Sequence, residues 1–304
     1  MTDTPPVQHD TRCGTIALVG RPNVGKSTLL NRLLGMKLSI VSRRPQTTRH
    51  RLLGIHTAGN TQFVYVDTPG LHSDQKRALN RVLNGTAVAA LGDVDVILML
   101  VEPGQWRDDD AMVLRHVRAA ERPVIAVVNK VDRLKHKEAL LPFMEELAER
   151  HDFAAIIPLS ATRGDNIDPV EHTLADWLPE SPFLFPDDHL TDRSERFLVA
   201  ELIREQLMRM LGQEVPYSTS VAIDAFETSD RLTRIAATIW VEREGQKAIV
   251  IGRGGEQLKR IGAQARESIQ GLLEAQVHLE LWVKVRAGWA DDERALRSLG
   301  YDEG

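Results

Sequence analysis

The chain has a single cysteine, Cys13, so no disulfide can form within it, and a reducing, cytosolic compartment fits that usage. It also lacks a long apolar run: the longest, around Val94–Val101, is broken by Asp95 and falls far short of the roughly 20 residues a membrane helix needs. Residues 1–12 are polar, carry two prolines and contain no apolar signal-peptide core. Stable membrane insertion is therefore not expected, while peripheral contact with the cytoplasmic face of the inner membrane stays open. Internal repeats and low-complexity tracts are missing as well, which argues against solenoids and arrays. A formal net charge of −5 denies the chain a global attraction for nucleic acid, so any such partner must be met by a local patch. What is present is the mixture of a soluble globular protein, 42% hydrophobic and 27% charged. At 304 residues the chain accommodates two domains of ordinary size.

From Thr15 to about Leu178, short apolar runs alternate with helical patterns. The expected strands are Thr15–Gly20, Leu52–Thr57, Gln62–Asp67, Asp95–Val101, Val124–Asn129 and Ala154–Leu159, and helical periodicity marks Ser27–Leu34, Ala111–Ala119 and Glu138–Arg150. Four of the strands read as near-continuous apolar segments, as strands buried on both faces do. The pattern predicts an α/β fold, an open, mostly parallel sheet with helices on both faces, over residues 13–178. A short N-terminal tail, residues 1–12, precedes it. Residues 179–194, with Pro179, Pro182 and Pro186, read as a linker from this first domain to a second one. Residues 195–288 then predict a smaller α+β unit. It comprises a helix over about Glu195–Leu211, strands over about Ser218–Phe226 and Thr233–Glu242, an apolar strand Ile249–Ile251 entering a glycine turn, a helix from Glu256, and a last strand over about Val277–Val285. In the first of these helices Phe197, Leu198, Ala200, Leu202, Ile203, Leu207 and Met210 are the expected packing face. The tail 289–304 is acidic and carries no signal.

The chemistry is concentrated in motifs. Gly20-Arg21-Pro22-Asn23-Val24-Gly25-Lys26-Ser27, with Thr28 following, matches the phosphate-binding pattern GxxxxGK[ST], and it stands where the mechanism requires, between a strand and a helix. The glycines let backbone N–H groups converge on phosphates at a helix N-terminus. Lys26 can reach the outer phosphates and the Ser27 hydroxyl can take a position on Mg²⁺. Asp67-Thr68-Pro69-Gly70 closes the third strand, where the carboxylate can hold Mg²⁺ through water and the Gly70 N–H can sense the γ-phosphate. In the basic loop Arg43–Arg51, a threonine hydroxyl can close over the metal; Thr48 is the preferred ligand and Thr47 stays open as the alternative. Lys26, Thr48 and Gly70 are thus the expected catalytic residues, and Ser27, Thr48 and Asp67 the metal-holding ones. Asn129-Lys130-Val131-Asp132 selects the base, because a carboxylate accepts from both N1–H and the N2 amino group of guanine, a donor pair adenine lacks. Lys130 can lie across the base, Asn129 can tie this loop to the phosphate loop, and Ser160-Ala161-Thr162 can offer a backbone N–H to guanine O6.

These five elements occur in the order of translation-factor-type small GTPases. The wording GRPNVGKS, QTTRHR, DTPGLH and NKVD resembles the Era family of bacterial GTPases, and the likeness extends to the second domain. The resemblance implies GTP and GDP as ligands, Mg²⁺ as cofactor, and nucleotide-site segments Gly20–Ser27, Gln46–His50, Asp67–Gly70, Asn129–Asp132 and Ser160–Thr162. It also raises K⁺ beside Asn23. Leu71 follows the DTPG segment where many signalling GTPases have a water-orienting glutamine. Leucine cannot hold a water, so intrinsic turnover is expected to be slow, on the order of 10⁻² s⁻¹ or less.

In the second domain Gly252-Arg253-Gly254-Gly255 has the GxxG form that clamps single-stranded RNA in KH domains, with Lys259 and Arg260 on the next helix. Around it Lys247, Arg253, Lys259, Arg260 and Arg266 face only Glu256, a basic patch in an acidic chain. The element order resembles a type II KH domain. Trp240 and Trp282 are expected in the core rather than as base-stacking platforms. By the same resemblance the RNA is the 3′ end of 16S ribosomal RNA, the task is maturation of the small (30S) ribosomal subunit, the location cytoplasmic and the state monomeric. Two rivals remain at this level: a membrane-associated regulatory GTPase, and an RNA-binding module whose nucleotide only supports the fold.

Overall fold

The structure is a computed structural model describing residues 10–42, 47–71, 78–104, 106–212, 215–229 and 231–292. Most of the expected N-terminal tail, Arg43 to Gln46 of the basic loop, and residues 293–304 of the tail lie outside the described residues.

The first unit is a six-stranded sheet in the order β2-β3-β1-β4-β5-β6, with β1 Arg12–Val19, β2 Leu52–Ala58, β3 Thr61–Asp67, β4 Val96–Val101, β5 Val124–Asn129 and β6 Ala155–Leu159. Among these strands only β2 runs antiparallel, against β3; every other pairing is parallel. Strands β3, β4 and β5 are buried along their whole length, because helices cover both faces. The alternation within β1 shows the division: Ile16 and Leu18 join a core with α1 (Lys26–Leu33) and α5 (Asp168–Trp177). Ala17 and Val19 join one with α2 (Ala78–Gly92), α3 (Asp108–Ala119) and α4 (Leu140–Arg150). Chain order reverses on either side of β1, and the loops after β1, β3, β4, β5 and β6 open on one edge, the usual ligand crevice of such sheets.

The segment 179–194 is strapped to that sheet. Buried Gln62 on β3 accepts from the amides of Leu184 (2.9 Å) and Phe185 (3.0 Å) and donates to the Phe185 carbonyl (2.9 Å), while Ile55 N donates to the Leu190 carbonyl (2.9 Å). Satisfying a buried amide side chain this fully fixes the path of the chain between the two units.

The second unit packs α6 (Glu195–Met210), α7 (Glu244–Ile251) and α8 (Glu256–Leu273) on a sheet of order β7-β8-β9, with β7 Thr219–Thr228, β8 Thr233–Val241 and β9 Val277–Val285. β8 and β9 are parallel. Four expectations change here. Ile249–Ile251 is the last turn of α7, not a strand: its β-branched run is overridden by a helix whose first turn is closed by Gln246 Oε1, accepting from Arg243 N (3.0 Å), and which ends with Gly252 N donating to the Ala248 carbonyl (2.9 Å). On α6, Leu198, Leu202, Ile203 and Leu207 are buried as expected, but Phe197, Ala200 and Met210 are only partly so, and Val199 and Met208 replace them. Arg204, Glu205 and Gln206 are buried too, because the opposite side of α6 lies against the first unit. Trp282 stands on the solvent side of β9 at 45% exposure, and Trp240 is half-buried beneath Lys284 Nζ at 5.8 Å from its ring. The side-chain period of 2 sends Val283 inward and its neighbour out. Finally, Trp289, expected in an uninformative tail, is fully buried with Ala290 against Ala78, Leu79, Val82 and Leu83 of α2.

Candidate functional site

Five loops meet over the carboxyl edge of the large sheet. The loop between β1 and α1 passes through positive φ at Gly20, Asn23 and Gly25. At Gly25 (φ +112°) a Cβ would stand 2.2 Å from Asn129 Nδ2, so the contact between phosphate loop and base loop requires glycine there. Lys26 is 6% exposed and its Nζ donates to the Gly20 carbonyl at 3.0 Å. Burial pushes the Lys26 pKa down to about 8, with Asp67 opposing and Arg21 adding to the shift. The Arg21 side chain points away from the cleft, into ion pairs with Glu102 and, at 3.3 Å, with Asp110. Val24 lends only backbone, since its side chain lies in the core.

Beside this loop three oxygens converge. Thr48 Oγ1 lies 2.9 Å from Ser27 Oγ and 3.3 Å from Asp67 Oδ2, and Ser27 Oγ lies 3.3 Å from the same carboxylate oxygen. Between the two candidate threonines, Thr48 presents its hydroxyl to this cluster, while the Thr47 carbonyl accepts from Arg204 of α6. Asp67 is fully buried; burial raises its pKa, with the Ser39 hydroxyl (2.7 Å) and Lys26 drawing it back. Its Oδ1 has no hydrogen-bond partner among the described residues. A buried carboxylate with such an oxygen, flanked by two hydroxyls, is a hard-oxygen set that fits Mg²⁺ completed by water and phosphate. No cluster of three or more His, Cys, Asp or Glu that could hold a metal occurs among the described residues.

On the base side, Asn129 Nδ2 donates to the Val24 carbonyl (2.9 Å), and Asn129 Oδ1 accepts from Lys130 N (2.8 Å) and Ala161 N (3.0 Å). One amide therefore joins three loops. Ser160 Oγ donates to Asp132 Oδ1 at 2.7 Å, orienting the carboxylate expected to read guanine. Lys130 Nζ reaches the Asn23 carbonyl and pairs with Glu102.

A cleft of about 1030 Å³ is lined by Pro22, Asn23, Gly25, Lys26, Ser27, Thr28, Thr48, Gly70, Lys130 and Thr162. Besides Arg21 and Val24, three expected residues turn elsewhere. Thr68 Oγ1 donates to the Leu18 carbonyl (2.8 Å), Leu71 is buried at 2% exposure in the core beneath α2 and α3, and Val131 packs against that same core. The sequence also missed contributors: Ile40, Val41, Ser42 and Arg133 line the cleft, as do Met208 and Arg209 of α6. Nothing in a local motif announces the last two, which arrive from the other unit. Glu102 was missed as well, although its place directly after β4 on the ligand edge was a usable signal.

The loop Gly252–Gly255 separates α7 from α8, with Gly252, Gly254 and Gly255 at φ +74°, +60° and +81°. Arg253, Lys259 and Arg260 are exposed around it. A groove of about 350 Å³ beside the loop is lined by the apolar Met210, Leu211 and Ile249 and by Arg253, Gln257 and Arg260, with Glu256 the one acidic residue among them. That arrangement suits bases against the apolar side chains and phosphates against the arginines.

The depressed Lys26 pKa has a measurable consequence. Phosphate oxygens favour the charged amine, so binding restores its proton and moves the pKa back up from about 8. Nucleotide binding is expected to take up protons above pH 8, and affinity to fall as pH rises through that value. Calorimetry in buffers of different ionisation enthalpy reads the uptake; an equal heat in all of them at pH 8.5 contradicts it.

Comparison with known proteins bears on both sites. The model of the 50S ribosome-binding GTPase family matches residues 15–130, and that of the KH domain matches residues 214–290. The chain is 55% identical over 295 residues to the GTPase Era of Histophilus somni (strain 129Pt), covering 97% of this chain and 98% of that protein. To the GTPase Era of Glaesserella parasuis serovar 5 (strain SH0165) it is 56% identical over 292 residues, 96% of this chain and 97% of the other. Among solved structures, an Aquifex aeolicus Era variant bound to GDP·AlF4⁻ superposes with a TM-score of 0.92 at 38% identity, over 96% of this chain and 99% of that one. Era in complex with MgGDPNP and nucleotides 1506–1542 of 16S ribosomal RNA gives a TM-score of 0.93, also at 38% identity and the same coverage.

Proposed function

We propose, since this chain belongs to the Era family of GTPases, that its GTP cycle governs how its KH domain holds the 3′ end of 16S ribosomal RNA during assembly of the small ribosomal subunit. The chain is a GTP-hydrolysing enzyme with a KH domain. The observation that carries the coupling is the cleft itself, which receives Lys26, Ser27 and Thr48 from the GTPase domain and Met208 and Arg209 from the KH domain's first helix. The complex of a relative with both a GTP analogue and a 16S ribosomal RNA fragment supports the choice of RNA.

In this reading the backbone of Gly20–Gly25 and the Lys26 amine bind the phosphates, and Asp132, steered by Ser160, selects guanine. Ser27 and Thr48 would hold magnesium directly and Asp67 through water; the ion, when bound, neutralises charge on the phosphate oxygens. Gly70 N–H marks the γ-phosphate. Leu71, buried in the core, takes no part in holding the attacking water, which accords with slow turnover unless another group supplies that service. Loss of the γ-phosphate releases Thr48, and the displacement passes to the KH domain through α6. We place this action in the cytoplasm, by a monomer; the described residues include no helix long and apolar enough to cross a membrane.

The test is RNA affinity measured with a non-hydrolysable GTP analogue and with GDP, using the terminal 16S sequence. The two states are expected to differ by roughly 5- to 150-fold, the usual range of coupling between sites. Equal affinities, together with turnover indifferent to RNA, would remove the coupling.

A further inference from the structure

Thr48 is enclosed between two arginines that tie the domains together. Ahead of it, the Thr47 carbonyl accepts from Arg204 Nη2, which comes from α6 of the KH domain. Behind it, Arg49 crosses in the other direction: Nη1 donates to the Thr219 carbonyl at 2.8 Å and Nη2 to the Tyr217 carbonyl at 3.0 Å. Arg49 and Arg204 are 2% and 1% exposed. Arg204 is held in turn by Glu201, receiving Nε at 2.7 Å and Nη2 at 2.6 Å, and the neighbouring charge keeps the Glu201 carboxyl ionised against its burial, its pKa below the ordinary value. One turn further along α6, fully buried Glu205 accepts from Val41 N at 3.3 Å and pairs with Lys37.

Breaking a charge-assisted bond inside a dry interface leaves a charge without compensation, so such bonds hold their partners' positions firmly. Thr48 thus has a peptide anchored to the KH domain on one side and a side chain anchored there on the other. We infer that Arg204 and Arg49 are positioning residues for the Thr48 hydroxyl, so that the KH domain sets the magnesium affinity of the GTPase site. This rests on the reading of Ser27, Thr48 and Asp67 as the magnesium oxygens. Linkage makes the effect mutual: whatever displaces α6 loosens Thr48, and whatever draws Thr48 onto the metal steadies α6.

The experiment uses the full chain, as wild type, Arg204→Ala and Arg204→Lys. It follows release of a fluorescent non-hydrolysable GTP analogue, and of GDP, across a magnesium titration. Both variants are expected to need about tenfold more magnesium to retain the analogue, the worth of one charge-assisted hydrogen bond. GDP retention stays within about twofold, because Thr48 closes over the metal only when a γ-phosphate is present. An unchanged magnesium dependence in both variants overturns the inference. So does a parallel loss for GDP and analogue with a lower melting temperature, which is what interface glue alone would give. Should the alanine variant fail to fold, Arg204→Lys decides, since it keeps a cation beside Glu201. A wild type that retains the analogue without magnesium sinks the metal-site reading itself, a result distinct from either of these.

Discussion

Asp132→Asn is expected to lower GTP affinity by about 10⁴-fold or more and to create affinity for xanthosine triphosphate. The carboxylate has two acceptor oxygens, one of them fixed by the Ser160 hydroxyl at 2.7 Å. Guanine offers two donors to it, N1–H and the N2 amine. Asparagine keeps one acceptor and turns an amine on the other donor, so a good contact becomes a buried donor–donor clash. Sites built on paired hydrogen bonds discriminate by roughly 10⁴–10⁵-fold against partners that leave them unmet. Xanthine replaces the N2 amine with a carbonyl, which the new amide can satisfy. Equilibrium binding of both nucleotides measures the exchange. Undiminished GTP binding by the variant would mean that the base is read elsewhere.

Gly255→Asp is expected to abolish single-stranded RNA binding, a loss of about 100-fold or more, while GTP turnover in the absence of RNA is unchanged. The choice among the loop glycines follows from their surroundings. A Cβ on Gly252 would stand 2.5 Å from Gln257 Cβ, so a substitution there would disturb the fold as well as the surface. At Gly255 none of the described residues lies within 4 Å of the added atom. Its φ of +81° costs about 1–2 kcal/mol for a residue with a side chain, which α8 and its core can absorb. The carboxylate then repels phosphates and holds the RNA backbone away from the loop. Filter binding with a short single-stranded RNA, alongside phosphate release, reads both halves. Retained RNA affinity would place the interface on another face of the domain.

The GTPase half was legible because its signals are local. A phosphate loop, a DTPG turn and an NKVD turn each specify backbone geometry within a few residues, and the strands that carry them are long apolar runs. Thr48 over Thr47 was within reach of the motif but needed coordinates, since adjacent threonines differ only in which hydroxyl faces Ser27 and Asp67. The KH half misled where local preference and tertiary context disagree. Ile249–Ile251 has the β-branched composition of a strand and lies in a helix, because Gln246 caps the turn before it. Helix α6 hid its second role for a related reason. One stripe of it is apolar and packs in its own domain, and the other stripe, Arg204 and Glu205, is charged and lies against the first domain. Contacts between units leave no periodic trace in a sequence, so Met208 and Arg209 at the cleft could not be foreseen.

Trp289 gives the molecule a mooring apart from the strap and the contacts of α6. The strap at 179–194 ties the two domains in series, as any connection must. The indole seated under α2, the helix after the DTPG turn, ties them again from the far end of the KH domain. A body fastened at several separated points cannot swing about any one of them. While that indole stays seated, and α6 and Arg49 keep their own ties across to the other domain, the RNA-binding domain is held on several sides, and a wide excursion requires the tryptophan to leave its socket as well.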